Sequence, residues 1–387
     1  IESVNFAIVA PGTYKVQARF FEDLLPLDIR FLVRQCGVTT EWSRKVLAEE
    51  IVSKFSARST SPVSLEGRAF SDAVAIGDIV YFAPYDADGV GIFEPKTGRF
   101  TEVDISLQGV VGDRKFSAAV AVDDLVVLVP FDSDVIGLFE TRTKEFSYLN
   151  ISLLFPMGER FIGASKHVSV DASGRTVSRV VFAPYAAGMV VSYDAALRTV
   201  DTTRLFDDYQ FGGAVTIQNQ IIMTPYGNKT GVGVFDILTG GFLTVDIEDK
   251  VRSENYHFAG AISVESDVIF PPYNSHAVGI FDTLTSKFET VDISSRVTGN
   301  GKFWGGVLLD DTVVFAPANA DAVGLFYVSS RTFSTQPLTA GIAGEDKFAG
   351  AAIVAADIVF APGRHTANIG VFNLAESNLT YVIEVPQ

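Results

Sequence analysis

One residue, a phenylalanine returning at nearly constant spacing, constrains this chain more than any other feature. It stands at Phe70, Phe116, Phe161, Phe211, Phe258, Phe303 and Phe348, with spacings of 46, 45, 50, 47, 45 and 45 by subtraction. Small residues follow it, as in Ser117-Ala118-Ala119, Gly212-Gly213-Ala214 and Ala259-Gly260-Ala261. An apolar run then ends on a proline, at Pro84, Pro130, Pro184, Pro225, Pro272, Pro317 and Pro362. A third run reads Val-Gly-Ile-Phe or close to it at 90–93, 278–281, 323–326 and 369–372. A fourth carries Val-Asp-Ile at 103–105, 245–247 and 291–293. Four short runs rich in β-branched and aromatic residues, divided by turn residues, describe one small antiparallel sheet. Such a sheet cannot cover both of its own faces. Seven arranged around an axis can, and ring closure leaves only short edges. The repeat therefore predicts an all-β fold, a seven-bladed β-propeller over 68–387. A linear β-solenoid is the rival, but its repeats are usually shorter. Length alone, 387 residues, suggests two or three domains, a rule that fails where one body grows by adding units.

An acidic residue follows the third run, in Glu94-Pro-Lys-Thr97, Asp236-Ile-Leu-Thr239 and Asp282-Thr-Leu-Thr285. Its carboxylate can accept backbone N–H bonds across a turn that the threonine closes. In this Asp-x-x-Thr-x-x-Phe turn the repeat resembles the kelch, YVTN and NHL-type propeller families. The string Phe-Ala-Pro-Tyr-Asp-Ala-Asp-Gly-Val-Gly-Ile-Phe-Glu at 82–94 resembles tandem repeats in propellers of algae, protists and some bacteria. The resemblance covers 68–387 and implies the fold. It implies no particular activity.

Residues 1–67 do not fit the repeat and read as a small α/β extension. Val4–Val9 and Tyr14–Phe21 suit a hairpin. Asp28–Gln35 suits a short helix, and Thr40 suits the cap of a second, with Val46, Leu47, Ile51 and Phe55 at helical spacing. Ser56–Ser64 reads as a linker. The extension is either a cap on the propeller or an arm that docks onto a partner, with Phe31, Trp42 and Phe55 as its anchors. Ring closure has three readings: packing alone, or an added strand from Pro62–Leu65 or from the early hairpin.

Formal charge is −16 with a pI near 4.7, which argues against a nucleic-acid binder. No apolar run is long enough for a membrane span. The single cysteine, Cys36, excludes an intrachain disulfide. The chain starts at Ile1 rather than Met, which leaves room for a removed targeting segment and leaves the compartment open.

In a propeller, residues before each leading Phe and after each proline share one rim. The first set is Ala69, Lys115, Arg160, Gln210, His257, Lys302 and Lys347, a mostly cationic ring near the axis. It predicts positive potential at one channel mouth and an anionic ligand or acidic peptide. The alternative is that these cations pair with loop carboxylates. The second set is Tyr85, Phe131, Tyr185, Tyr226, Tyr273, Ala318 and Gly363. Its aromatic is lost in two adjacent blades only. That predicts a notch flanked by Tyr85 and Tyr273, with Asn319, Arg364 and His365 at hand. Neutral drift of terminal repeats also accounts for the loss. The inner strands offer Ser, Gly and Ala, with Asp72 and Lys166-His167 as polar exceptions, so no metal site, cofactor site or catalytic constellation is predicted. The reading that follows is a non-catalytic binding or scaffold propeller, an accessory subunit of a larger assembly, engaging a protein partner or a small anionic ligand. The alternative is a hydrolase or lyase acting on a small anionic substrate at the channel mouth.

Overall fold

The computed structural model describes 69–374, except 172, 206–209, 228–229, 252–254, 339–341 and 367. It describes backbone alone at 4–10, 13–18, 29–35, 38–44, 55–59 and 380–384. The chain divides into two compact units, Ile1–Val52 and Ser53–Gln387.

The larger unit is a seven-bladed β-propeller. Its blades are consecutive antiparallel sheets whose strands run from the axis outward in chain order. Phe70–Ile76, Ile79–Pro84, Gly89–Glu94 and Arg99–Asp104 form the first. In every blade the leading Phe lies opposite the proline that ends the second strand, as in Phe70↔Pro84 and Phe303↔Pro317. A strand rises about 3.3 Å per residue, so this pairing fixes which loops share a rim.

The leading phenylalanines wedge between blades. Phe116 packs among Tyr81, Val90 and Ile92 of blade one and Val126 and Leu128 of its own blade. Phe258 packs with Ile222 and Val232 of blade four. The same core recurs between each pair of neighbours, and the seventh joins blade seven to blade one, with Ala352, Val359 and Ile369 against Phe70 and Phe82. The ring closes by side-chain packing. In addition, Phe55–Ser59 pairs parallel to Thr380–Glu384 as a fifth, outermost strand of blade seven. The added strand thus includes residues 56–59 of the expected linker; the early hairpin forms a sheet of its own, and Pro62–Leu65 lies outside the described residues.

The acidic turns form as the residue pattern requires. Asp236 accepts N–H bonds from Leu238 and Thr239, both at 2.9 Å, and Asp282 accepts from Leu284 and Thr285. These bonds hold both carboxyls below the usual range, led by the Thr239 N–H at Asp236 and by the Thr285 hydroxyl at Asp282.

In the N-terminal unit strands stand where the sequence suggests the first helix and the cap of the second, while Val46, Leu47 and Ile51 lie outside the described residues. Ile29–Gln35 pairs antiparallel with Val38–Arg44, setting Phe31 opposite Trp42 and Val33 opposite Thr40. Both segments are rich in β-branched and aromatic residues, which favour a pleated backbone over a helix. Val4–Ala10 pairs with Thr13–Ala18. Phe55 opens the strand on blade seven and is not part of a docking helix.

Near the axis the inner strands converge so closely that backbone meets backbone. The second residue after each leading Phe is Asp72, Ala118, Gly163, Gly213, Gly260, Gly305 and Gly350. A Cβ built on Gly260 would stand 2.8 Å from the Gly305 Cα, and the residue sits at φ +89°. Both facts demand glycine. Gly260→Ala should cost about 2 kcal/mol or more of unfolding free energy. Urea titration followed by circular dichroism checks it, with Gly174→Ala, in open space at φ +83°, isolating the backbone contribution.

Candidate functional site

The cations predicted for the rim face inward. Lys115, Arg160, His257, Lys302 and Lys347 are all buried, at 2% exposure or less. Lys302 and Lys347 each bridge two loops. Lys302 Nζ donates to the Asn274 carbonyl (3.0 Å) and the Gly299 carbonyl (2.8 Å). Lys347 Nζ donates to Asn319 and Gly344 carbonyls and reaches the Asp321 carboxylate at 3.4 Å. Lys115 Nζ donates to the Gly112 carbonyl at 2.5 Å. Arg160 reaches the carbonyls of Asp132, Ser133 and Phe155 and the carboxylate of Asp134. Lys302, Lys347 and Arg160 clamp the entry loop of one blade to the exit of the second strand of the blade before. Burial accordingly pulls the Lys115 and Lys347 ammonium groups below the usual lysine range. The expected positive rim is thus corrected to a set of internal straps, since a buried ammonium takes every carbonyl within reach. A sequence signal for it exists: Gly112, Gly299 and Gly344 each stand three residues before the lysine and lie at φ +97°, +90° and +107°, turning a carbonyl toward it.

The aromatic set, by contrast, forms one connected surface. Ring centroids run Tyr85–Phe131 (6.1 Å), Phe131–Tyr185 (6.0 Å), Tyr185–Tyr226 (6.1 Å), Tyr226–Tyr273 (5.9 Å) and Tyr273–Trp304 (5.4 Å). Tyr256, from the entry loop of blade five, packs tilted against Tyr226 with ring centroids 4.8 Å apart. Together they line a cavity of about 320 Å³ at the channel mouth, a size typical of small-ligand sites. Trp304 lies at the position where other blades carry Ser71, Ser117, Gly212 or Ala259. It fills from the inner strand what Ala318 leaves vacant on the neighbouring strand. The gap in the arc is therefore narrower than the residue list implies, and it falls at blade seven, where Ala349 and Gly363 are both small and line the cavity.

The residues expected at the notch separate into two groups. Tyr85, Tyr273 and Arg364 line the cavity. Arg364 lies over the Tyr85 ring at 5.0 Å and pairs with Asp86 at 3.0 Å. Asn319 instead braces a loop, its side chain accepting the Asp346 N–H at 2.9 Å and donating to the Asn300 carbonyl. His365 is exposed and outside the lining. Phe31 and Trp42 belong to the N-terminal unit, and their side chains lie outside what the structure describes. Arg114, which sequence reading passes over, lies over Phe131 at 5.3 Å and pairs with Asp132 and Glu159. Burial raises the phenols: Tyr185 to about 12, with Tyr226, Tyr273 and Tyr85 also pushed up. The tyrosine rings of the cup are therefore un-ionised at physiological pH.

Beneath it the channel continues into a second cavity of about 200 Å³. Ser71, Ser117, Ile162 and Trp304 belong to the walls of both. Ser71 and Ser117 are themselves tied to neighbouring blades, each donating at 2.7 Å to the carbonyls of Phe116 and Phe161. In the lower wall Asp72 replaces the small residue of the other blades, with Gly350 against it. Its carboxylate accepts N–H bonds from Ala73 (2.8 Å) and Ala119 (3.1 Å). Burial nonetheless pushes its carboxyl up to about 7, outweighing those bonds. Part of the side chain still reaches the channel. His167 lies on the inner strand of blade three with Nε2 at 3.2 Å from the Asn219 side-chain oxygen.

The chain is a seven-bladed propeller by comparison as well as by geometry. Virginiamycin B lyase from Staphylococcus aureus superposes with a TM-score of 0.64 at 13% identity, covering 81% of this chain and 98% of that one. A streptogramin B lyase gives 0.61 at 13%, covering 77% and 91%. The WD40 repeats of RRP9 give 0.58 at 12%, covering 83% and 97%. At such identities the likeness shows the fold alone. No family model and no curated protein sequence matches the chain. Among the described residues no helix is long and apolar enough to cross a membrane.

Proposed function

We propose that this propeller is a binding protein whose ligand seats in the aromatic cup at the channel mouth. The observation that carries the reading is the unbroken arc of rings from Tyr85 to Trp304, open only at blade seven. Large rings with few rotatable bonds give much contact area for little lost entropy, and a cup of this size with a few polar groups is the usual form of a ligand site. The groups available favour holding over reacting. Glu159 is engaged by Arg114, and no histidine stands in the lining. The WD40 and lyase neighbours share the scaffold with both kinds of role, so the choice rests on the site.

The test uses Trp304 as reporter. The chain has two tryptophans, so Trp42→Phe leaves Trp304 as the sole one. Indole, benzoate and benzyltrimethylammonium serve as neutral, anionic and cationic probes. At least one should change Trp304 fluorescence saturably, and Tyr226→Ala should weaken that probe by about tenfold or more, as expected on losing a central aromatic contact. If no probe perturbs Trp304, or Tyr226→Ala leaves the affinity unchanged, the cup is not a binding site.

A further inference from the structure

The charges around the cup do not balance. Two arginines reach it, and both are already met. Arg364 is paired with Asp86, and Arg114 with Asp132 and Glu159. Asp346 adds another carboxylate to the lining, and Asp72 stands in the channel wall below. Three carboxyl groups, Glu159, Asp346 and Asp72, thus line one path with the two guanidiniums, in a chain of formal charge −16. The lysines of the neighbouring loops are buried and do not line the cup or the channel below.

The rings carry the same sign preference. An aromatic face is the negative end of a quadrupole and attracts cations, tryptophan most strongly and tyrosine next. Two rings of the arc already show it, since the guanidiniums of Arg364 and Arg114 sit over Tyr85 and Phe131. Farther around stand Tyr185, Tyr226, Tyr273 and Trp304. A bare metal ion does not suit this surface. Its walls are mainly aromatic rings, and both Asp72 oxygens already accept backbone N–H bonds, so Asp72 offers a charge through space rather than a coordination shell.

Resting on the binding role proposed above, we infer that the cup takes a small organic ammonium ion, its charged head against the Tyr–Trp arc and directed down the channel toward Asp72. The apolar substituents of such an ion fill the ring-lined cavity, and the carboxylates set its sign. Along the lower channel, among the described residues, Asp72 is the titratable group in the lining. Around the cup, Glu159, Asp346, Arg114, Arg364 and the tyrosines face the same space.

The experiment titrates Trp42→Phe protein with choline and with its neutral isostere 3,3-dimethylbutan-1-ol at constant ionic strength, reading Trp304 fluorescence. Choline should bind at least about tenfold more tightly than the alcohol, the scale of one partly screened charge interaction. Asp72→Asn and Asp72→Ala should each remove most of that preference. Ala is the residue blade two carries at this position, Ala118, and circular dichroism verifies folding. In the parent, choline affinity should rise from pH 5.5 to pH 8.5 as the Asp72 carboxyl ionises, whereas both variants should stay flat. Glu159→Gln and Asp346→Asn report whether the rim carboxylates carry the pH response instead. Equal binding of choline and the alcohol, or unchanged choline affinity in both Asp72 variants, overturns the inference. If indole or benzoate binds at the cup and choline does not, the ammonium assignment falls while the binding role stands. If no probe of any charge moves Trp304, both fall.

Discussion

Arg160→Met should lower the free energy of unfolding by about 3 kcal/mol or more, while leaving any ligand affinity at the cup within a few-fold. The guanidinium is 2% exposed and satisfies three backbone carbonyls, those of Asp132, Ser133 and Phe155, at 2.8–3.0 Å. Methionine keeps most of the stem but leaves these acceptors without donors, and each stranded acceptor costs about 1–3 kcal/mol. The Asp134 partner contributes little by itself, because its side chain is 62% exposed and an exposed carboxylate is hydrated when its partner goes. Asp134→Asn should therefore cost less than about 1 kcal/mol. Arg160→Lys should recover part of the loss, since two other blades make the same strap with lysine, Lys302 and Lys347. Urea unfolding with the slope held constant is the measurement. A stable Arg160→Met protein with abolished ligand binding would return the cationic ring to the functional role that its sequence position first suggests.

Phe258→Ala should cost about 3–5 kcal/mol, the range for truncating a fully buried aromatic. Phe258 is fully buried, and its ring stands 5.8 Å from Phe270 and 5.9 Å from Phe288. It packs against blade four as well as its own blade, so the cavity lies in an interface that cannot collapse without moving two sheets. A Cβ on Gly279 would approach its ring at 3.0 Å, showing how little space remains. Leu153→Ala is the contrast: at 98% exposure it should change stability by no more than about 0.5 kcal/mol. Thermal or urea unfolding distinguishes the two. A small effect at Phe258 would mean that the blades are held by something other than their leading phenylalanines.

The fold was legible because its physics repeats. A Phe and a proline return seven times, with small residues near the Phe and an acidic turn in five of the copies, and only one closed arrangement buries every copy. The rim was legible as well, since the Phe↔Pro pairing follows from strand alternation. The straps were not. Lys302 and Lys347 look like surface charges, and their inward course depends on carbonyls supplied by loops of another blade. Trp304 escaped notice for a related reason. Within its own repeat it is a large residue at a small position, and its role appears only beside Ala318. In the N-terminal unit, short apolar runs suited both helix and strand, and pairing between Ile29–Gln35 and Val38–Arg44 decided for strand.

By itself the sequence determined the number of blades, the order of strands within each and the residues that wedge between them. These follow from local pattern and from the need to cover two faces of every sheet. The tertiary structure decided which charges reach solvent, where the aromatic arc opens and that Asp72 meets the channel. Those depend on atoms brought together from blades far apart in the chain, and burial changes what each group can do once it is there.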